Sequence, residues 1–281
     1  MGKDMEDRFL PAAEAVRRGD RHALEEALGR EPTLAKERSA TSHPTLLQCL
    51  VLDGGGLPGQ TQIAMAAALV DAGADKDEPL IATGSHGNLT LADFLLDQGA
   101  CLDGRPDVLR GWTVLEEALY WGHADMVDRL LQRGAGVHTL RAAAGLGRVD
   151  FVLHCFDDQG RLLVEHAGPV NWPFAELPPE QRSEDPRDLL DNALVYAAMG
   201  GHEEVMRVLV SRGASVRAHP RGFHLKGTAL HWAALRGNTN GCVLLRELGA
   251  ELEARDGTFE ATPADWARRG DHEALAQELE S

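Results

Sequence analysis

The chain has 281 residues, 43% of them hydrophobic and 26% charged, the composition of a globular protein and not of a disordered one. Acidic side chains number 44 against 28 basic, a net charge of −16, which repels phosphate backbones and anionic lipids and predicts neither nucleic acid nor a membrane as partner. No run approaches the ~20 apolar residues of a bilayer span, and 5% aromatic residues are too few for one large aromatic core.

The start, Met1 to Asp7, is charged and reads as the approach to a polar helix, not as a signal peptide. Residues 9–40 then read as an N-terminal cap, with a helix over Phe9–Arg18 and a second from His22 around the Gly19-Asp20 turn. Residues 43–74 form a stretched helix pair in which the glycine-rich run Asp53–Gly59 lengthens the turn. From Glu78 a pattern sets in: a helix ending at a glycine, a second helix, and a further glycine twelve residues on. The pairs are Gly87 and Gly99, Gly122 and Gly134, Gly201 and Gly213, Gly237 and Gly249. The first glycine of each pair sits where two helices turn sharply, and the second where a helix stops. A decayed copy runs from Thr139 to Phe156, and Thr262–Leu279 is a final copy, read as one residue short in its first helix, inside a C-terminal cap of residues 258–281.

The copies Thr113-Val-Leu-Glu-Glu-Ala-Leu-Tyr-Trp-Gly-His123, Thr228-Ala-Leu-His-Trp-Ala-Ala and Thr262-Pro-Ala-Asp-Trp-Ala, with Leu130-Leu131-Gln-Arg-Gly134-Ala135 downstream of the first, resemble the ankyrin repeat. The resemblance covers nearly the whole chain. It implies an all-α solenoid, one domain over residues 1–281, of about eight helix-turn-helix units with short hairpin fingers and one long insertion. It also assigns His123, His202 and His231 to structural hydrogen bonds at the turns. Asp265 stands in the histidine's place, a departure at that turn.

Two fingers are missing by length, between Gly73 and Glu78 and between Gly134 and His138. In contrast, 32 steps separate Gly160 from Asn192. This insertion, residues 161–187, holds Pro169, Pro173, Pro178, Pro179 and Pro186, which oppose helix, beside apolar residues unsuited to a solvated linker. It reads either as a patch over the decayed copy or as a lid. A lid would place Glu165, His166 and Trp172, with His224 nearby, at a ligand pocket, and would make the chain an enzyme or small-molecule binder.

No catalytic motif supports that alternative. There is no G-x-S-x-G elbow, and Gly54-Gly55-Gly56 lacks the Lys-Ser/Thr of a phosphate loop. No histidine pair has ligand spacing, and Cys49, Cys101, Cys155 and Cys242 are far apart, so no metal or cofactor is expected. The cysteines read as small apolar residues of a reduced, cytoplasmic protein. The leading expectation is a noncatalytic scaffold that binds another protein. The resemblance places its groove at the residues after each Ala-Ala position, Ser85 and His86, Tyr120 and Trp121, Gly145 and Leu146, Met199 and Gly200, Leu235 and Arg236, with Trp112, Phe223, His224 and Lys226 on the fingers. Trp, Tyr and Arg there are the residue types of binding hot spots.

Overall fold

The computed structural model describes residues 2–39, 45–104, 112–168 and 185–280. By its internal packing the chain divides into two compact units, Met1–Leu109 with Thr113–Ala135, and Arg110–Trp112 with Gly136–Ser281. The sequence reads as one array. The division falls in the link after Gly134, where the finger is missing.

In the first unit the pairs are α1 (Gly2–Arg18) with α2 (Arg21–Arg30), α3 (Leu46–Asp53) with α4 (Gly59–Asp71), α5 (Asp77–His86) with α6 (Leu89–Asp97), and α7 (Val114–Trp121) with α8 (Ala124–Gln132). First helices stack in the order α1, α3, α5, α7, and second helices in the order α2, α4, α6. In the second unit they are α9 (Leu140–Gly145) with α10 (Val149–His154), then the short α11 (Val164–Ala167), α12 (Pro186–Gly200) with α13 (Glu203–Ser211), α14 (Ala229–Leu235) with α15 (Thr239–Glu247), and α16 (Pro263–Arg269) with α17 (Glu273–Leu279). Again the first helices form a ladder, α9, α12, α14, α16. Eight helix pairs thus stand among the described residues, as the resemblance implies. The fold is an all-α ankyrin-type repeat, without strands among the described residues beyond an isolated bridge of Phe156 to Leu162. Among the described residues the fingers are built from turns.

Small residues set the helix spacing. Gly84 of α5 lies so close to α7 that a Cβ there would sit 2.8 Å from the Val114 carbonyl oxygen. Helix starts share one device: Thr113, Thr228 and Thr262 cap α7, α14 and α16, and Glu116, His231 and Asp265, three residues on, return a bond to the cap. Asp265 therefore does make the turn's hydrogen bond, accepting from the Thr262 backbone N–H and hydroxyl at 2.9 Å each.

Three boundaries differ from expectation. The helix α1 begins at Gly2 rather than Phe9, the acidic opening residues suiting a helix N-terminus. The helix α12 begins at Pro186, so the C-terminal end of the insertion is helix, with proline at the first turn where no N–H is missed and Asp185 capping the Arg187 N–H at 2.9 Å. The last pair is not a residue short. Asp271 occupies the turn-glycine position with φ 63°, matching Gly237 at φ 69°, and α16 has seven residues, as α14 does. Aspartate is among the few residues that tolerate this left-handed turn.

Carboxylates hold the links. Asp77 accepts from the Cys101 N–H at 2.8 Å, and Asp191, at the same repeat position, accepts from the Ser215 N–H at 2.6 Å. The last finger folds around Asp256, 1% exposed, which accepts from the indole N–H of Trp266 at 2.8 Å and from the backbone N–H groups of Thr258, Phe259 and Ala261. Burial acts to raise the Asp256 pKa, but those donors prevail and hold it below its ordinary 3.8. Burial of Asp191 wins over its single backbone bond and pushes its pKa up to about 6.

Asp256→Ala should destabilise the second unit by about 3 kcal/mol, since it strands buried donors, measured by chemical denaturation. A folded-state pKa below the unfolded value means that the Asp256 contribution is full above pH 3.8 and is lost as pH falls through its depressed folded value. Asp191 has the opposite sign: its folded form holds its proton more tightly, so stability falls as pH rises from 3.8 to about 6. Asp191→Asn keeps an acceptor for the Ser215 N–H without the buried charge. It should melt no lower than the parent at neutral pH, with a flatter pH profile in that window.

Candidate functional site

In the first unit α5 and α7 approach closely, Gly84 lying against Val114, Glu117 and Ala118, and α5 ends in Ser85 and His86 as α7 ends in Tyr120 and Trp121. The two aromatics part ways. Tyr120 is 1% exposed and belongs to the core, whereas Trp121 is 36% exposed. Its indole N–H donates to Glu117 Oε1 at 2.8 Å, one helical turn back, and its ring meets that of Tyr120 edge-on at 5.4 Å and 87°. Both contacts fix the rotamer, so the exposed face of Trp121 is held in place before any partner arrives. The turn below is pinned by His123, whose Nε2–H donates to the Ser85 carbonyl at 2.9 Å.

In the second unit the sequence-predicted contacts mostly turn inward. Trp112 is 4% exposed, with the buried Arg141 guanidinium 4.8 Å above its ring. Phe223 is 9% exposed, lodged between Tyr196 at 5.8 Å and Trp232 at 5.2 Å, and Trp232 meets Trp266 edge-on at 5.1 Å. Phe223 therefore anchors the long finger to its own repeats. Met199 is buried as well. The groove expectation is thus corrected for Trp112, Tyr120, Met199 and Phe223: a finger or last-turn position fixes where a Cα lies, not whether the side chain is covered, and all four side chains are buried.

Leu235 and Arg236 are half-buried at the end of α14, and His224 keeps an exposed edge while its ring lies 6.2 Å from Trp232, partial desolvation there pushing its pKa below the usual histidine value. His231 is buried and bonded within its box: Nδ1 accepts from the Thr228 N–H at 3.1 Å, which leaves Nε2–H to donate to the Ala261 carbonyl at 3.1 Å. Burial lowers its pKa, in keeping with a neutral ring.

At the insertion, Glu165 is exposed on α11, and α11 packs on α9 with Gly168 against Thr139. The start of the insertion thus covers the decayed copy. The side chain of His166 and the whole of Trp172 lie outside the described residues. Among the described residues no three His, Cys, Asp or Glu side chains gather as a metal-ligand set, and no helix is long and apolar enough to cross a membrane.

Sequence reasoning passed over Phe259, 52% exposed at the tip of the last finger, with the Arg269 guanidinium 4.4 Å above its ring. A signal was present: between Glu204 and Glu247 the chain has no acid, while it carries Arg207, Arg212, Arg217, Arg221, Lys226, Arg236 and Arg246.

A family model described as ankyrin repeats matches residues 15–140 and 161–256, in three copies. Over 89 residues the chain is 35% identical to the ankyrin repeat and SAM domain-containing protein 6 of Mus musculus and, equally, to that of Rattus norvegicus. Those matches cover 32% of this chain and 10% of each relative, so the chain spans about a tenth of the length of the curated relatives it matches. Ankyrin repeats generally serve as protein-interaction scaffolds. On the matched residues and on the repeat geometry alike, the chain belongs to the ankyrin-repeat family.

Proposed function

We propose that this chain is a noncatalytic protein-binding scaffold whose first unit engages its partner through Trp121, flanked by Ser85 and His86, and whose second unit offers Leu235 and Arg236 at the equivalent helix ends. The observation that carries this reading is the exposure of Trp121. Trp112, Trp232 and Trp266 are 4%, 2% and 1% exposed, whereas Trp121 at 36% presents an indole face that the Glu117 bond holds in one orientation. A rigid, exposed aromatic of this kind loses little entropy on binding and suits a hot spot.

A cytoplasmic setting belongs to the same proposal. It is supported by the three buried cysteines, whose thiols burial pushes up to about 11 for Cys49 and Cys155 and about 12 for Cys242. Such thiols stay protonated and serve as packing groups.

The test is affinity capture with the purified protein from lysate of its native cells, followed by binding titration of the recovered partner. Trp121→Ala should weaken that partner by about 2 kcal/mol or more while leaving the melting temperature nearly unchanged, and Trp121→Phe should recover part of the loss. Equal affinity for the parent and Trp121→Ala, with the fold intact, sinks the reading.

A further inference from the structure

A second surface, on different residues and in the other unit, carries its own chemistry. The segment from Val205 to Arg246 runs through α13, the long finger, α14 and most of α15 without one Asp or Glu, in a chain that has 44 of them. Some of its cations are matched from outside the segment: Arg207 by Glu247 at 3.7 Å, Arg217 by Glu251 at 3.1 Å and Arg221 by Asp188 at 3.6 Å. Lys226 is different. Its backbone O accepts from the Gly257 N–H at 2.9 Å and its N–H donates to Thr258 Oγ1 at 3.1 Å, which joins the two fingers and lays its side chain along Gly257.

Two residues beyond Gly257 comes Phe259, 52% exposed and stacked under the exposed Arg269 guanidinium at 4.4 Å. One exposed cation thus covers the Phe259 ring, and a second, Lys226, lies along Gly257 of the same finger on a frame of backbone hydrogen bonds. Two of the carboxylates nearby are committed. Asp256 is buried under four N–H donors, and Asp265 is bound to its helix cap and lies 3.6 Å from Arg268. Glu253 and Glu260 are exposed on the same finger, and against these two stand three exposed cations, Lys226, Arg269 and Arg255, the last donating to the Glu260 carbonyl at 2.9 Å.

We propose that Lys226, Phe259 and Arg269 form a docking site for an acidic, extended polypeptide segment, its carboxylates on the two cations and an apolar side chain against Phe259. Charge complementarity selects this occupant. With a net charge of −16 the chain as a whole repels an acidic segment, so any that binds must find a local basic face. The finger bonds fix that face, so docking requires little reordering.

The probe is a fluorescein-labelled peptide of repeating glutamate–leucine–glycine, read by fluorescence anisotropy against the intact protein, with a lysine–leucine–glycine peptide as control. Net charge alone favours the lysine peptide, so tighter binding of the glutamate peptide is the expected and diagnostic order. Lys226→Glu with Arg269→Glu should weaken it about tenfold or more, Phe259→Ala should weaken it about fivefold, and Trp121→Ala should leave it unchanged. All these side chains are exposed, and a thermal melt of each variant verifies the fold. The proposal is overturned if the lysine peptide binds as tightly, if the double charge reversal leaves affinity within about twofold, or if the glutamate peptide fails to saturate. A loss on Trp121→Ala would also overturn it, because the peptide would then be reading the first unit's surface.

Discussion

Helix pairs in both units are tied to the pair before them through a side-chain N–H that reaches a helix-end carbonyl. A helix leaves its last carbonyls without intrahelical donors, and a short first helix leaves proportionally more of its backbone in that state. His123 fills the Ser85 carbonyl, His202 fills that of Gly145 at 2.9 Å, and Asn238 fills those of Ala198 and Met199 at 2.8 and 2.7 Å. In each case the donor is the N-cap of a second helix, and the acceptor lies in the last turn of the preceding first helix. One bond therefore closes a carbonyl, fixes a turn and sets the step between repeats. It also decides how the helix ends lie, and the candidate binding residues stand on those ends. Where the glycine-rich turn displaces the acceptor, the bond becomes a relay. Asn88 donates to Gln62 Oε1 at 2.8 Å, and Gln62 donates onward to the Leu57 carbonyl at 2.8 Å.

That constraint explains what the sequence makes legible. Glycine spacing, the His or Asn after each of these turn glycines and the Thr cap are backbone requirements, and a backbone requirement leaves few residue choices. The eight pairs and the structural histidines follow from them. Side-chain direction is another matter. Tyr120 and Trp121 are neighbours on one turn of α7, yet a helix rotates successive residues far enough that one faces the core and the other solvent. Phe223 lies in a long finger, where a sequence reading expects exposure, and its burial depends on Tyr196 and Trp232, which meet it only in space. Asp271 hid the last turn because an aspartate had taken the left-handed position that glycine marks elsewhere. Residues 169–184, the proline-rich middle of the insertion, lie outside the described structure, so the lid reading rests on no geometry.

Carboxylates just ahead of two first-helix copies tie the chemistry of a repeat to the link after it. Asp77 and Asp191 both stand one residue before the first-helix copy, and both hold the first N–H after the Gly-Ala pair of their own repeat. That N–H opens a finger, so the carboxylate secures the place where the chain leaves the helix pair. The Thr113 copy precedes a link too short for a finger, and there the same position is Trp112, whose ring lies under the Arg141 guanidinium. The Thr228 copy precedes a finger but carries Gly227. A Cβ at Gly227 would lie 2.7 Å from the Trp266 ring, so packing of that indole takes precedence. The finger then takes its order from the other side, through Asp256, which binds the same indole. Burial dominates at Asp191, with its single backbone N–H donor, and raises its pKa. Four donors at Asp256 outweigh burial and lower it. Both the burial of a carboxylate and the N–H groups aimed at it enter the sign of its linkage to folding.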